Sequence, residues 1–190
     1  MQHASASITE RMMRAAKLET GVYEEIEADA SATQQALWVV IIAAVLDGLG
    51  LALGAILFEG RAEGFLGGLL IGVASAIIGW VVWAWLTYFI GTQLFNGSAT
   101  PGEMLRTIGF AQAPRVLNVF SFIPVLGGLL RFVVAIWLLI AGIVAIRQAL
   151  DVTTGKAIAT AIIGWLAMLV VFVIIGIIVA ALGLGAGMPR

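Results

Sequence analysis

Asp47 lies within an otherwise uncharged run from Ala36 to Phe58. A carboxylate in such a run has two uses. It can relay protons or ions, or touch a lipid headgroup, in a setting that offers no other charge. Alternatively it can pair with a cation and hold two helices in register. Left unpaired at a bilayer centre it costs about 2.5–3.5 kcal/mol on the insertion scale. The partner this sequence offers is Arg115. Gln112, Arg115 and Asn118 are three residues apart, so on a helix they form one polar ridge that should turn toward protein. Asp47, Gln112, Arg115 and Asn118 are therefore the candidate intramembrane polar cluster. A hydrated path to Asp47 would favour transport. Closure of Asp47 on Arg115 in a dry bundle would favour a scaffold.

Other chemistry has little to stand on. The chain has no cysteine and a single histidine, His3. Disulfides, thiolate catalysis and thiolate metal sites are thereby excluded. No Ser/His/Asp set, metal cluster or flanking pair of carboxylates is present. Gly155-Lys156 superficially suggests a phosphate loop. That motif needs a glycine where Leu150 stands and a hydroxyl where Ala157 stands. The sequence is read as non-enzymatic, with no cofactor and no metal.

The elements that must position the cluster follow from composition. Hydrophobic residues make up 62% of the 190 and charged residues only 11%, against roughly 25% charged in ordinary soluble domains. Ten Lys/Arg, eleven Asp/Glu and a mean hydropathy of +1.09 exclude disorder, a basic nucleic-acid binder and a water-soluble enzyme. The expected partner is the lipid bilayer, with other membrane proteins beside it and no nucleic acid. The charges are unevenly spread. Residues 1–35 hold nine of the twenty-one and form a polar head; residues 36–190 form the membrane domain.

The head carries an apolar stripe at helical spacing: Ile8, Met12, Ala15, Leu18, Val22 and Ile26. Ser7 or Thr9 is its expected N-cap, and Gly21 its expected interruption. It reads either as an amphipathic helix on headgroups or as a solvated helix packed loosely on the body. Five membrane spans follow, at about 36–58, 65–91, 101–120, 129–146 and 157–182. The third is the weakest. Thr100, Pro101 and Glu103 predict a capping box at its start, and Pro114 predicts a kink. Whether it crosses fully is left open by Arg106, Pro114 and Arg115. The expected fold is an all-α integral membrane bundle of five transmembrane helices with a short amphipathic N-terminal segment.

With five spans the termini fall on opposite sides. A cytoplasmic head puts Arg11, Arg14, Lys17, Arg106, Arg147 and Lys156 inside, and Arg61, Arg131 and Arg190 outside. The positive-inside rule favours that orientation. Arg106, Arg147 and Lys156, beside the turns Asn96–Glu103 and Arg147–Lys156, are then candidate cytosolic contacts for a partner. Gly50 with Gly54, and Gly68 with Gly72, are small-residue pairs at four-residue spacing. They are read as helix packing within the bundle, with homo-oligomerisation the lesser alternative.

The middle of the chain resembles a known family. The residues are Leu94-Phe95-Asn96-Gly97, Leu105-Arg106-Thr107-Ile108-Gly109-Phe110-Ala111-Gln112-Ala113-Pro114, Ile123-Pro124-Val125-Leu126-Gly127, the Trp137 span, and Ala145-Ile146-Arg147-Gln148-Ala149-Leu150 leading to Thr153-Thr154-Gly155-Lys156-Ala157. Together they resemble the Yip1 domain family, especially its bacterial members. The head, with Arg14-Ala15-Ala16-Lys17-Leu18 and Tyr23-Glu24-Glu25-Ile26-Glu27, is also similar to those. The resemblance implies five transmembrane helices, a cytosolic N-terminus and no catalytic residues. In eukaryotes such proteins contact prenylated Rab GTPases in Golgi and endoplasmic reticulum membranes; the short head here does not support that partner. The first functional reading is a membrane adaptor, organiser or scaffold. The alternative is a small transporter, channel or lipid-handling protein that uses the Asp/Arg cluster. A bacterial chain of this kind would sit in the plasma membrane.

Overall fold

A computed structural model describes residues 6–61 and 63–181. It is helical in these residues. The head forms two short helices, α1 (Ile8–Ala16) and α2 (Thr20–Ala28). Ser7 caps α1, its Oγ accepting from the Glu10 N–H at 3.2 Å. The break between the two falls at Leu18, whose φ is +63°, and not at Gly21, which lies inside α2.

Four helices are long and apolar enough to cross a membrane: α3 (Ala32–Glu59), α4 (Phe65–Phe95), α6 (Leu126–Leu150) and α7 (Thr154–Ala181). The expected five-helix bundle is thereby corrected. The expected third span, Pro101 to Phe120, is not a long helix. It is α5 (Pro101–Phe110), a turn, and a 3-10 helix from Ala113 to Phe122. The cause is Pro114. It has no N–H to donate, and its ring collides with the carbonyl four residues back. That carbonyl belongs to Phe110, where the α-helix stops. The start of the segment has the expected capping box: the Glu103 N–H donates to Thr100 Oγ1 at 3.3 Å, and the Thr100 N–H to Glu103 Oε2 at 2.7 Å.

The segment is nonetheless tied to α3 along most of its length. Gly109 packs on Ala36, Arg115 bonds Asp47, Asn118 lies against Gly50 and Phe122 against Gly54. From Ala36 to Gly54 an α-helix rises about 27 Å. The thirteen steps from Gly109 to Phe122 would rise only about 20 Å as α-helix, but about 26 Å at 3-10 pitch. The tighter helix lets fewer residues keep pace with α3. Irregular backbone survives at membrane depth only where protein covers it, and Ala113, Pro114 and Asn118 are buried.

The core is concentrated at the head end. Ala32, Ala36, Val39 and Ala43 of α3, Ala84 of α4, Ala141, Ala145, Ala149 and Leu150 of α6, and Ala157 of α7 are fully buried. The opposite half of α4 is largely exposed, with Leu66, Leu70 and Ile71 about 70% accessible. The fifth expected span ended at Leu182, and the charge count used Arg190; both lie outside the described residues.

Candidate functional site

Two polar layers lie along the bundle. The deeper one centres on Asp47, twelve residues before the end of α3. Arg115, carried by the 3-10 helix, donates to Asp47 Oδ2 from Nε at 3.0 Å and from Nη2 at 2.8 Å. Both bonds go to one oxygen. The other oxygen, Oδ1, is 3.7 Å from Nη2 of Arg131 on α6. Arg131 also donates to Ser121 Oγ at 3.2 Å. The layer is therefore a triad of one carboxylate and two guanidiniums. A charge taken out of water needs a partner and satisfied hydrogen bonds, and this carboxylate has both.

Asn118 and Gln112 stand apart from the triad. In a 3-10 helix residues three apart eclipse one another, which aligns Arg115 with Asn118, whereas Gln112 precedes that helix. Asn118 is buried against α3, and among the described residues nothing donates a hydrogen bond to its side-chain oxygen. Gln112 lines a different groove, with Val40, Ala76, Trp80 and Trp83.

A cleft of about 500 Å³ reaches Asp47 and Arg115 from the end away from the head. Its walls are α3 and α4. Ala44, Gly48, Ala52 and Ala55 line one side and Phe65, Gly68, Leu69 and Gly72 the other, with Glu59 and Arg61 at the mouth. The two expected glycine pairs differ here. A Cβ on Gly50 would collide with the carbonyl oxygen of Asn118, and one on Gly54 would touch Phe122 at 3.6 Å. Gly68 and Gly72 have nothing within 4 Å of such a Cβ and face the cleft.

The second layer is at the head end. Arg106 turns inward from α5: Nε donates to the Ile26 carbonyl at 3.1 Å and Nη2 to the Glu27 carbonyl at 2.5 Å. Those carbonyls close α2, so Arg106 satisfies groups a helix end leaves bare. Trp137 of α6 donates to the Ala16 carbonyl at the end of α1 at 2.7 Å. Arg11, nearly inaccessible, bonds Glu25 at 3.0 Å and Gln35 at 3.0 Å and pairs with Asp29 at 2.8 Å. Val22, Tyr23 and Ile26 are fully buried beneath. The described part of the head is thus tied to the bundle by buried side chains and hydrogen bonds.

Charge states in this layer follow from its contacts. Burial disfavours ionised Glu25, but hydrogen bonds from Arg14 and Arg11 and their charges hold its pKa below the ordinary value. The Ser31 hydroxyl, against the opposing effect of burial, lowers that of Asp29, and Arg11 adds to it. Glu27 goes the other way. Burial first, then the charges of Asp151 and Glu103, push it up to about 7, with Arg106 opposing.

The two turns beside the head join. The Ser98 N–H donates to the Leu150 carbonyl at 2.9 Å, and the Leu150 side chain fills the notch over Gly91 and Gly97. Lys156 donates to the Phe95 carbonyl at 3.0 Å, and Gln148 to Glu24 at 3.0 Å. Arg147 and Lys156 are exposed, whereas Arg106 is not.

Residues 20–175 match the Yip1 domain. The chain belongs to the Yip1 domain family. The match takes in α2 to α6 and α7 as far as residue 175, and leaves out α1. No curated protein and no solved structure matches. Family membership agrees with a multi-pass integral membrane protein without a catalytic site, and among the described residues no group of three His, Cys, Asp or Glu could hold a metal ion.

Sequence reasoning missed Arg131 and the inward turn of Arg106. Arg131 was placed at the edge of a span beginning at Leu129, but α6 starts at Leu126 and carries Arg131 five residues in. The apolar run Leu126-Gly127-Gly128-Leu129-Leu130 was the available signal.

Proposed function

We propose that this Yip1-type protein is a non-enzymatic membrane adaptor or organiser whose head end faces the cytoplasm and carries its partner surface. The observation behind this reading is the joined head-end layer. α1, α2 and the turns Asn96–Glu103 and Arg147–Lys156 are tied by Arg106, Trp137, Gln148 and the Ser98–Leu150 bond into one platform. Exposed Glu24, Arg147, Asp151 and Lys156 stand on or beside it. A pre-ordered surface binds without first being ordered, which is what an adaptor requires. Among the described residues six Lys/Arg lie at this end and only Arg61 and Arg131 toward the other, which supports a cytoplasmic head. The likeness of Arg14-Ala15-Ala16-Lys17-Leu18 and Tyr23-Glu24-Glu25-Ile26-Glu27 to bacterial members supports a place in a bacterial plasma membrane.

Lipid handling, transport or conduction is the second reading, and the cleft to Asp47 and Arg115 favours it. Against a channel stand Ala36, Val39, Val40 and Ala43, sealed between the pair and the head end.

The chain lacks cysteine, so single-cysteine reporters are clean. Ser98→Cys should react with an impermeant maleimide only from the cytoplasmic side, and Glu63→Cys only from the other. A photo-crosslinker at Arg147 should give a discrete adduct with another membrane protein in native membranes, lost in Arg106→Ala, which loosens the platform. Absence of any adduct, together with flux in liposomes that Asp47→Asn abolishes, would replace this reading with transport.

A further inference from the structure

The cleft between α3 and α4 ends beside a surplus of positive charge. Asp47 and Arg115 line it and offset each other, while Arg131, which reaches Asp47 from α6 and lines the neighbouring groove with Gly50 and Gly54, adds a second positive charge next to them. Glu59 and Arg61 at the mouth pair with each other and cancel. The surplus guanidinium charge also has free donors. Arg115 spends Nε and Nη2 on Asp47, and among the described residues nothing accepts from its Nη1. Arg131 uses only Nη2, on Ser121 and toward Asp47. Guanidinium edges of this kind are matched by carboxylate or phosphate oxygens.

The setting says which source supplies them. Asp47 is about 18 Å along α3 from Glu59, too deep to be reached as an ordinary surface charge. Arginines at such depth draw water and headgroups inward and thin the bilayer locally. The cleft leads from that depth to the mouth. Between its charged ends the lining is apolar, Leu51, Phe65 and Leu69 among it, and Ala52, Ala55, Gly68 and Gly72 leave room that larger side chains would fill. At about 500 Å³ it is within the range of roughly 300–1,000 Å³ typical of ligand sites. A Cβ on Gly68 or Gly72 would meet nothing within 4 Å among the described residues, so close packing within the chain does not require a glycine at either position.

We infer that this cleft binds an anionic phospholipid, its phosphate drawn to the free edge of Arg115 under the surplus charge of Arg131 and an acyl chain lying along the glycine wall of α4. The inference deepens the lipid-handling reading but requires binding alone. A protein that holds the lipid and moves none satisfies it and refutes transfer.

The test is native mass spectrometry of the full chain released from bilayers of phosphatidylcholine with a minor fraction of phosphatidylglycerol. Both lipids carry a phosphate, but only choline brings a cation under the surplus guanidinium charge, so wild type should retain the anionic lipid over the zwitterionic one by about tenfold. Arg131→Gln should bring the two lipids to parity. Gly72→Leu, for which the structure leaves space, should lose both. Equal retention of the two lipids by wild type, or selectivity that survives both variants, would overturn the inference. Should either variant fail to fold, the wild-type ratio still decides. Inorganic phosphate separates the sources. If it binds the lipid-free detergent-solubilised protein and strips phosphatidylglycerol from it, the ligand is a free anion and the lipid assignment falls.

Discussion

From Ala32 to Ala44 small residues, Trp80 and an inward-turned arginine close the bundle, whereas from Gly48 to Glu59 a cleft opens between helices α3 and α4, bridged where Leu69 meets Gly48. The same residue type serves both ends differently. Arg106 spreads its donors over the backbone carbonyls of Ile26 and Glu27 and thereby holds the head. Arg115 and Arg131 converge on one carboxylate and keep donors in reserve. The closed end is built as a rigid surface. The open end retains unspent charge and space, which are the ingredients of binding.

Four experiments break or sharpen this contrast. The largest effect belongs to the deep pair. Asp47→Ala strands two guanidiniums and should cost about 3–5 kcal/mol in thermal unfolding in detergent, while Asp47→Ala with Arg115→Met should recover much of it. With Arg115→Met alone completing the cycle, a double-variant loss equal to the sum of the single losses would show that Asp47 and Arg115 are not coupled. Next is Arg106→Ala, which removes charged donors from two carbonyls and should loosen the head by about 3 kcal/mol. Limited proteolysis should then cut between α1 and α3 first, leaving the long helices intact. A head as resistant as wild type would show that the closed end does not depend on Arg106.

The glycines test packing directly. Gly50→Ala drives a methyl into the Asn118 carbonyl and should cost about 1–3 kcal/mol, whereas Gly72→Ala should stay within about 0.5 kcal/mol of wild type. Similar losses at both positions would erase the difference, within the open end, between the packed face of α3 and the cleft wall of α4. The smallest effect is a pH dependence at Glu27. Its pKa is about 7 in the folded head against an ordinary 4.5, so the folded state holds the proton more tightly. That contribution is fully present below 4.5 and is lost as pH rises through 7. Proteolysis of the head should therefore quicken modestly from pH 5 to pH 8, and Glu27→Gln should flatten the profile. Glu25 and Asp29, whose values are lowered, act in the opposite sense below this window. A wild-type head equally resistant at both pH values would remove Glu27 from the docking energy.

Much of the fold was legible because it is written locally. Long apolar runs announce membrane helices whatever they pack against, and Thr100, Pro101 and Glu103 announce a helix start by their own side chains. The error lay in the third run. Pro114 was read as a kink, but it ended the α-helix at Phe110 and left a 3-10 helix. Only the neighbouring α3, against which the segment had to keep register, explains that choice. At Leu18 the chain turns with positive φ in a residue that gives no such sign, and Gly21, which gives one, stays helical.

By itself the sequence determined the solvent, the long helices and the scarcity of charge that singled out Asp47 and Arg115. These depend on residue type and on spacing along one helix. Tertiary structure alone decided that Arg131 joins them, that Arg106 faces inward, and that Gly50 is filled while Gly72 is empty. Each of those depends on what a distant part of the chain places opposite, and short-range spacing carries no record of it.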